Sequence, residues 1–331
     1  MTNRSSDLDD SRKKGAFYGW YIVAALFFAS FLAIGLRHGF GVFVKTWEED
    51  WGVTTAAISL AASIGVLCNG LSQPIGGWLA DRYGGRPVLV FSLTVMALST
   101  IAVSTVSSVF GLIILYGVLV SFAAGGVSHP AMAVVIARWF DRNRGAAMSI
   151  LVAGGSVGGL VVVPFLSYAL VEFGWRAAWV IIGLLALGFG VPLLLLIVRN
   201  KPSELGMQID GEQHDESNRE LPQSSAQYIG PDFVNKWHQA LNSKPIWQLS
   251  FGYFVCGITT LAVAVHFVRW AVSEDITEAT AALAFGALMF VNALGVLVVG
   301  VLSDRFQRKN LLGTVYLIRG LAFISLIVVP G

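Results

Sequence analysis

Charge is scarce in this sequence: 13% of its 331 residues are charged against 55% hydrophobic, and mean hydropathy is +0.70. Soluble domains carry roughly a quarter charged residues, so a water-soluble chain is excluded. A formal net charge of +2 leaves no basic surface for nucleic acid. The only cysteines, Cys68 and Cys256, both fall inside apolar runs, which argues against a disulfide framework. Metal-ligand spacings, a nucleophile elbow and a nucleotide loop are all missing, so no enzyme chemistry, catalytic residue, metal or cofactor is expected. The first 15 residues, MTNRSSDLDDSRKKG, are polar, and the apolar run after them is too long for the core of a cleavable leader.

Long apolar runs are what the chain does have. Residues 181–198, IIGLLALGFGVPLLLLIV, carry no charge, and about 18 such residues suffice to cross ~30 Å of hydrocarbon. Backbone polar groups must be satisfied internally in lipid, so these runs predict helices. The breaks between them give nine spans, at 19–44, 54–80, 87–107, 109–138, 145–170, 175–198, 247–271, 279–303 and 310–330. Trp20, Tyr21, Trp51 and Trp175 stand near span ends, as in an interfacial belt. The expected fold is all-α and integral to the membrane.

Basic residues set the orientation. With the N-terminus inside, the inner segments carry four, two, three, five and three Lys and Arg in turn. The outer turns carry only Lys45, Arg176 and Arg269, and two of those turns, WEEDWG and SEDITEA, are acidic. The positive-inside rule then places the N-terminus in the cytoplasm. The organisation expected is a tail at 1–18, a six-helix bundle at 19–198, a polar, partly flexible cytoplasmic linker at 199–246 with Pro202, Pro222 and Pro231, and a partial second bundle at 247–331. Six spans, a linker and three more spans suggest a truncated protein or a fragment.

One short pattern occurs twice. Gly77-Trp-Leu-Ala-Asp81-Arg82 follows the second span and Gly300-Val-Leu-Ser-Asp304-Arg305 follows the eighth. The offset fits a second half that repeats the first. Gly84 and Gly85 supply a tight turn after the first copy. An Asp at the end of its own helix opposes that helix's dipole and needs a cation or another helix N-terminus against it. Arg82, Arg86 and the cluster from Arg138 to Arg144 are candidates for Asp81; the start of span five near Arg144-Gly145 is the candidate for Asp304. A contact of this kind can form and break as two halves rock.

The hinge resembles the motif between helices two and three of the major facilitator superfamily, with its weaker copy between helices eight and nine. GWYIVAALFF into GLRHGFGVF, ARWFDRNRGAAMSILVAGGSVGG, EFGWRAAW and RNKPSELG resemble the monocarboxylate transporter and oxalate–formate antiporter branch, in particular its bacterial members. The resemblance implies twelve helices in two six-helix bundles, a central site and alternating access. Here it implies an N-terminal bundle plus an incomplete C-terminal one, with Asp81 deprived of the helix-eleven contact the family would give it. The acidic–basic pair that the animal branch carries in helix eight has no counterpart in AFGALMFVNALGVLVVG, which leaves proton coupling of that type unsupported.

Ionisable residues inside spans are functional candidates. They are Arg37 and His38 in span one, His129 in span four, His266 in span seven and Arg319 in span nine, whereas no Asp or Glu lies deep in a span. The interior is thus biased towards positive charge, which an anion would relieve. Arg37 lies about 27 Å along span one and matches a carboxylate by a two-pronged fork; snorkelling to the outer interface is the alternative. His38 and His266 occupy near-equivalent positions in the two halves and could carry a proton or bind a carboxylate, or each could be neutral and bonded to a backbone carbonyl. His129, before Pro130, reads as a kink residue. Arg319 lies about 14 Å into its span, too deep to snorkel cheaply. Asn69 and Gln73 share a helix face, and Asn292 lies in span eight; these amides line a cavity or bond across helices. AGGSVGG at 153–159 reads as close helix packing, having no P-loop lysine.

The expected function is secondary transport of a small, monocarboxylate-like organic anion, coupled to protons or to anion exchange, by a monomer in the bilayer. Efflux of drugs or amphipathic metabolites, and a non-transporting truncated product, are the alternatives.

Overall fold

The computed structural model describes residues 17–211, 241–273 and 277–328. Several side chains on the last three helices, those of 261–270 among them, lie outside the description. Every regular element among the described residues is helical. Helix α1 is Tyr18–Trp51, α2 Thr55–Tyr83 and α3 Gly85–Val103. Helix α4 is the run Val109–Trp139, which holds a π-helical stretch at Ile113–Val120 and a break at Val127 and Ser128, just before His129 and Pro130. The run Arg144–Ile197 is divided at Gly174 (φ 79°, ψ 164°) into α5, 144–173, and α6, 175–197. Then come α7 Lys244–Ser273, α8 Glu278–Arg305 and α9 Arg308–Val328.

Six of the runs are long and apolar enough to cross a membrane: Tyr18–Trp51, Thr55–Tyr83, Gly85–Val103, Val109–Trp139, Arg144–Ile197 and Gly286–Arg305. By contacts the chain forms two compact units, residues 1–212 with 290–331, and residues 213–289. The first holds every side-chain arrangement described below.

Local chemistry sets the helix ends. Thr54 caps α2 by accepting the Ala57 N–H, and Ser108 caps α4 by accepting the Gly111 N–H. Gly52 closes α1 in the left-handed region at φ 62°, where a side chain would be strained. Glycine also sets how closely α1 and α5 approach. A Cβ on Gly35 would lie 2.7 Å from Val162 Cγ2 and 2.9 Å from the Gly158 oxygen; Gly154 and Gly158 abut the Phe27 and Phe31 carbonyls. The AGGSVGG segment is therefore a helix-packing seam of the small-residue kind.

Helix α1 outruns its expected end at residue 44. Residues 45–51 were expected in an outer turn, yet they continue the helix because their side chains have somewhere to go. Trp47 and Trp51 stack at 5.8 Å, Trp175 meets both edge-on, and the Trp175 indole N–H donates to Asp50 Oδ2 at 2.7 Å. At ~1.5 Å per residue the helix is about 51 Å long, and Arg37 falls near its middle.

The segment after α6 has structure that composition did not report. Of the polar, partly flexible linker expected at 199–246, residues 199–211 form helical turns at Pro202–Leu205 and Ile209–Gly211 with Pro202 buried, and 212–240 lie outside the described residues. Trp139 Nε1 donates to the Arg199 carbonyl at 2.9 Å, and Asn200 Oδ1 accepts the Arg86 N–H at 2.9 Å. Composition reported the polarity of this stretch and missed that its polar groups complete the ends of α3 and α4.

Candidate functional site

The structure joins three of the predicted polar residues. Arg37 Nη1 donates to Asn69 Oδ1 at 3.0 Å, and Gln73 Nε2 donates to the same oxygen at 3.1 Å. Asn69, only 4% exposed, is fixed in turn through its Nδ2, which donates to the Ser121 carbonyl of α4 at 3.3 Å. Its spacing of four from Gln73 puts both amides on one face of α2, where they meet α1. Tyr116, on the π-helical stretch of α4, stacks on Phe40 at 4.4 Å, and its hydroxyl reaches the Arg37 carbonyl at 3.5 Å. Arg37 is thereby directed across to α2 rather than along its own helix towards an interface. Its partner is a neutral amide oxygen, so the hydrogen bond orients the guanidinium without cancelling its charge.

The other candidates lie elsewhere. His38 is exposed and lies against α5, where a Cβ on Gly159 would come 3.5 Å from His38 Nδ1. Adjacent in sequence, Arg37 and His38 thus serve different helices. Asn292 lines a cleft of about 680 Å³ with Arg144, Ser149, Ser303 and Arg308, away from the Arg37 group. Arg319 is half-buried on α9 and is engaged within the fold. His266 falls on α7 with its side chain outside the described residues.

At the hinge, the two copies of the repeated pattern behave differently. Asp304 sits on the N-terminus of α5: Oδ1 accepts the Gly145 N–H at 2.6 Å and Oδ2 the Ala146 N–H at 2.8 Å. Helix α5 has no side-chain cap of its own, Asn143 making none, so Asp304 supplies one from α8. A carboxylate there meets both the orphan N–H groups and the positive end of the dipole. Glycines allow the approach: a Cβ on Gly145 would lie 2.5 Å from the Gly300 oxygen, and one on Gly300 would run into Ser149.

Asp81 is exposed, and three of its expected cations, Arg82, Arg86 and Arg138, are engaged with other groups. Arg138 Nη2 donates to the backbone carbonyls of Ala80 and Asp81, at 3.5 and 3.1 Å, so it caps α2 and leaves the carboxylate alone. The Arg82 guanidinium lies over the rings of Trp78 and Tyr83, and Arg86 Nη2 donates to the Leu195 carbonyl at 2.6 Å. Helix ends offer carbonyls that need donors, and two of these arginines meet that need first. Gly84 turns the chain at φ 96°, with Asn200 packed where a Cβ would stand, 2.7 Å from its Oδ1. Gly84→Ala is expected to lower stability by about 1–3 kcal/mol from the backbone alone, read as a fall in the thermal midpoint of the detergent-purified protein.

Sequence reasoning overlooked Asn200, Tyr116 and Asp210. Asp210 Oδ2 accepts the N–H groups of Asp141 and Arg142, at 3.0 and 2.8 Å, ahead of α5. Only its position after RNKPSELG could have drawn attention to it.

A helical, multi-pass membrane protein with a polar group between α1, α2 and α4 and a helix-capping hinge defines a class, and comparison with known proteins gives the family. The model of the Major Facilitator Superfamily matches residues 26–331, and the chain belongs to that family. It is 25% identical over 319 residues to the uncharacterized MFS-type transporter YcxA of Bacillus subtilis, covering 93% of this chain and 71% of the relative. It is 31% identical over 175 residues to monocarboxylate transporter 9 of Mus musculus, covering 51% of this chain and 33% of that one. A match of 28% over 170 residues to monocarboxylate transporter 13 of Bos taurus covers 51% and 40%. The chain thus spans less than half the length of these monocarboxylate transporters. Among solved structures, a bacterial homolog of the human lysosomal transporter Spinster, inward-facing and unoccupied, matches at a TM-score of 0.56 and 20% identity over 89% of this chain and 64% of that one. That likeness speaks for the fold.

Proposed function

We propose that this protein moves a small organic anion of the monocarboxylate type across a cell's inner membrane, with its N-terminus in the cytoplasm. The carrying observation is Arg37, half-way along α1, held by the neutral amide oxygen of Asn69, which Gln73 also engages, with no carboxylate against it among the described residues. A carboxylate cargo supplies the missing charge and fits the guanidinium fork. Arg319 is the second candidate contact, and His38 or His266 the candidate proton carriers. Relatives similar over half the chain are monocarboxylate transporters, which agrees with this cargo class.

Alternating access needs a gate, and the Asp304 cap on α5 is its candidate on the cytoplasmic side. The contact joins a helix of the first bundle to one of the second half, and rocking of the halves would break it. Asp81, Arg82, Arg138 and Arg305 belong to the same charged face.

The full chain reconstituted in liposomes should take up labelled lactate, pyruvate or oxalate saturably, and not a cationic dye. An imposed pH gradient and a trans-anion load distinguish proton symport from exchange. Dye flux without carboxylate flux would overturn the cargo. Saturable carboxylate flux that survives Arg37→Ala with Arg319→Ala would overturn the site.

A further inference from the structure

The stretch 141–146, between α4 and α5, presents four backbone N–H groups to two carboxylates. Asp304 takes those of Gly145 and Ala146 from α8, and Asp210 takes those of Asp141 and Arg142 from the segment that follows α6. The two acids differ in how they are held. Asp304 stands on the helix that would have to swing away when the gate opens. Asp210 belongs to a segment fastened to the first bundle, through Trp139 Nε1 to the Arg199 carbonyl and through Asn200 Oδ1 to the Arg86 N–H.

Asp210 is not an ordinary surface acid. Its backbone is in the left-handed region at φ 58°, which is costly for a non-glycine residue but which Asp tolerates better than most. Its second carboxylate oxygen is buried. A residue held in an unfavourable conformation and partly desolvated needs a compensating contact, and the two N–H bonds are that contact.

We propose that Asp210 is a positioning residue for the gate. By holding the N–H groups of Asp141 and Arg142 it fixes how the chain enters α5. The N–H groups of Gly145 and Ala146 then point where Asp304 lands, and they keep that direction while Asp304 is away. A preformed pair of donors spares Asp304 the cost of ordering the loop at each closure. Residues 199–211 are on this account a strap on the gate, not the first part of a tether. The inference rests on the gate reading above.

The test uses the full chain in liposomes with Cys68 and Cys256 replaced and Ser149→Cys introduced. Ser149 is 5% exposed against Gly300, so its maleimide labelling reports how often α5 and α8 part. Asp304→Ala is the control and should raise the labelling rate about tenfold, in line with the loss of charged hydrogen bonds. Asp210→Gly removes the carboxylate while accepting φ 58°, so it should raise labelling about three- to tenfold and slow turnover at an unchanged KM. Asp210→Asn keeps an acceptor oxygen and tolerance of that φ, and should restore labelling to within about twofold of the parent. A purely structural role for Asp210 would lower the thermal midpoint and leave labelling of the folded protein alone. If Asp304→Ala raises labelling and Asp210→Gly does not, the positioning role is overturned and the gate stands. If neither does, the gate reading falls and the positioning role with it.

Discussion

Replacing Arg37 by Ala is expected to raise the KM for carboxylate uptake about 10- to 100-fold, with the protein still folded in the membrane. The size follows from losing a hydrogen-bonded charge pair, worth roughly 1.5–3 kcal/mol where water is scarce. Arg37→Lys should recover only part of this. It keeps the charge but loses the planar fork, and one ammonium cannot hold Asn69 and a carboxylate in the same geometry. Asn69→Leu separates cargo binding from positioning, because it leaves the guanidinium present but unoriented, and it also strips a donor from the Ser121 carbonyl. It should therefore cost both affinity and thermal stability. Gln73→Leu should be milder, since Gln73 only shares an acceptor that Arg37 already uses. Concentration dependence of initial uptake rates, alongside thermal midpoints, reads all four. Equal KM values for parent and Arg37→Ala would show that the cargo binds elsewhere.

The membrane class and the helices up to Ile197 were legible in sequence because lipid enforces a simple rule. Uncharged runs of sufficient length have no other way to satisfy their backbones. Helix ends were less legible where a side chain from far along the chain decides them. Helix α1 continues to Trp51 because Trp175 and Asp50 meet, 125 residues apart. The amide pair Asn69 and Gln73 was visible from its spacing of four. That the pair would take Arg37 rather than a neighbouring backbone depended on how α1 and α2 pack, which spacing does not encode. The same limit applied to Asp81: charge pattern supplied Arg82, Arg86 and the Arg138–Arg144 cluster as partners, and the structure sends Arg138 and Arg86 to carbonyls and Arg82 to aromatic rings. Asp210 was the least legible. An Asp in a polar, proline-containing stretch carries no signal until the stretch is seen folded against α3 and α4.

Gly300→Ala is expected to cut transport at least fivefold. Its Cβ would run into Ser149 and stand 2.8 Å from the Gly145 carbonyl, which is backbone and has little room to retreat. Overpacking of a close contact costs about 1–3 kcal/mol, a factor of roughly 5 to 100 in the ratio of closed to open gate. Asp304 lies one helical turn further along α8, so a shift that relieves the clash also lifts its carboxylate from the Gly145 and Ala146 N–H groups. Spin labels at Arg144→Cys and Arg305→Cys, both exposed ends of the contact, should report a longer and broader distance in the variant. Gly77 is its counterpart in the other copy of the pattern. A Cβ there meets only Pro130 Cβ, at 4.0 Å, so Gly77→Ala should leave transport within about twofold of the parent. The pattern is shared, but among the described residues only one copy carries a helix crossing tight enough to require glycine. If Gly77→Ala proves as damaging as Gly300→Ala, then Gly77 is approached during transport by a group outside the described residues. Asp81 would then be poised to cap a helix as Asp304 does.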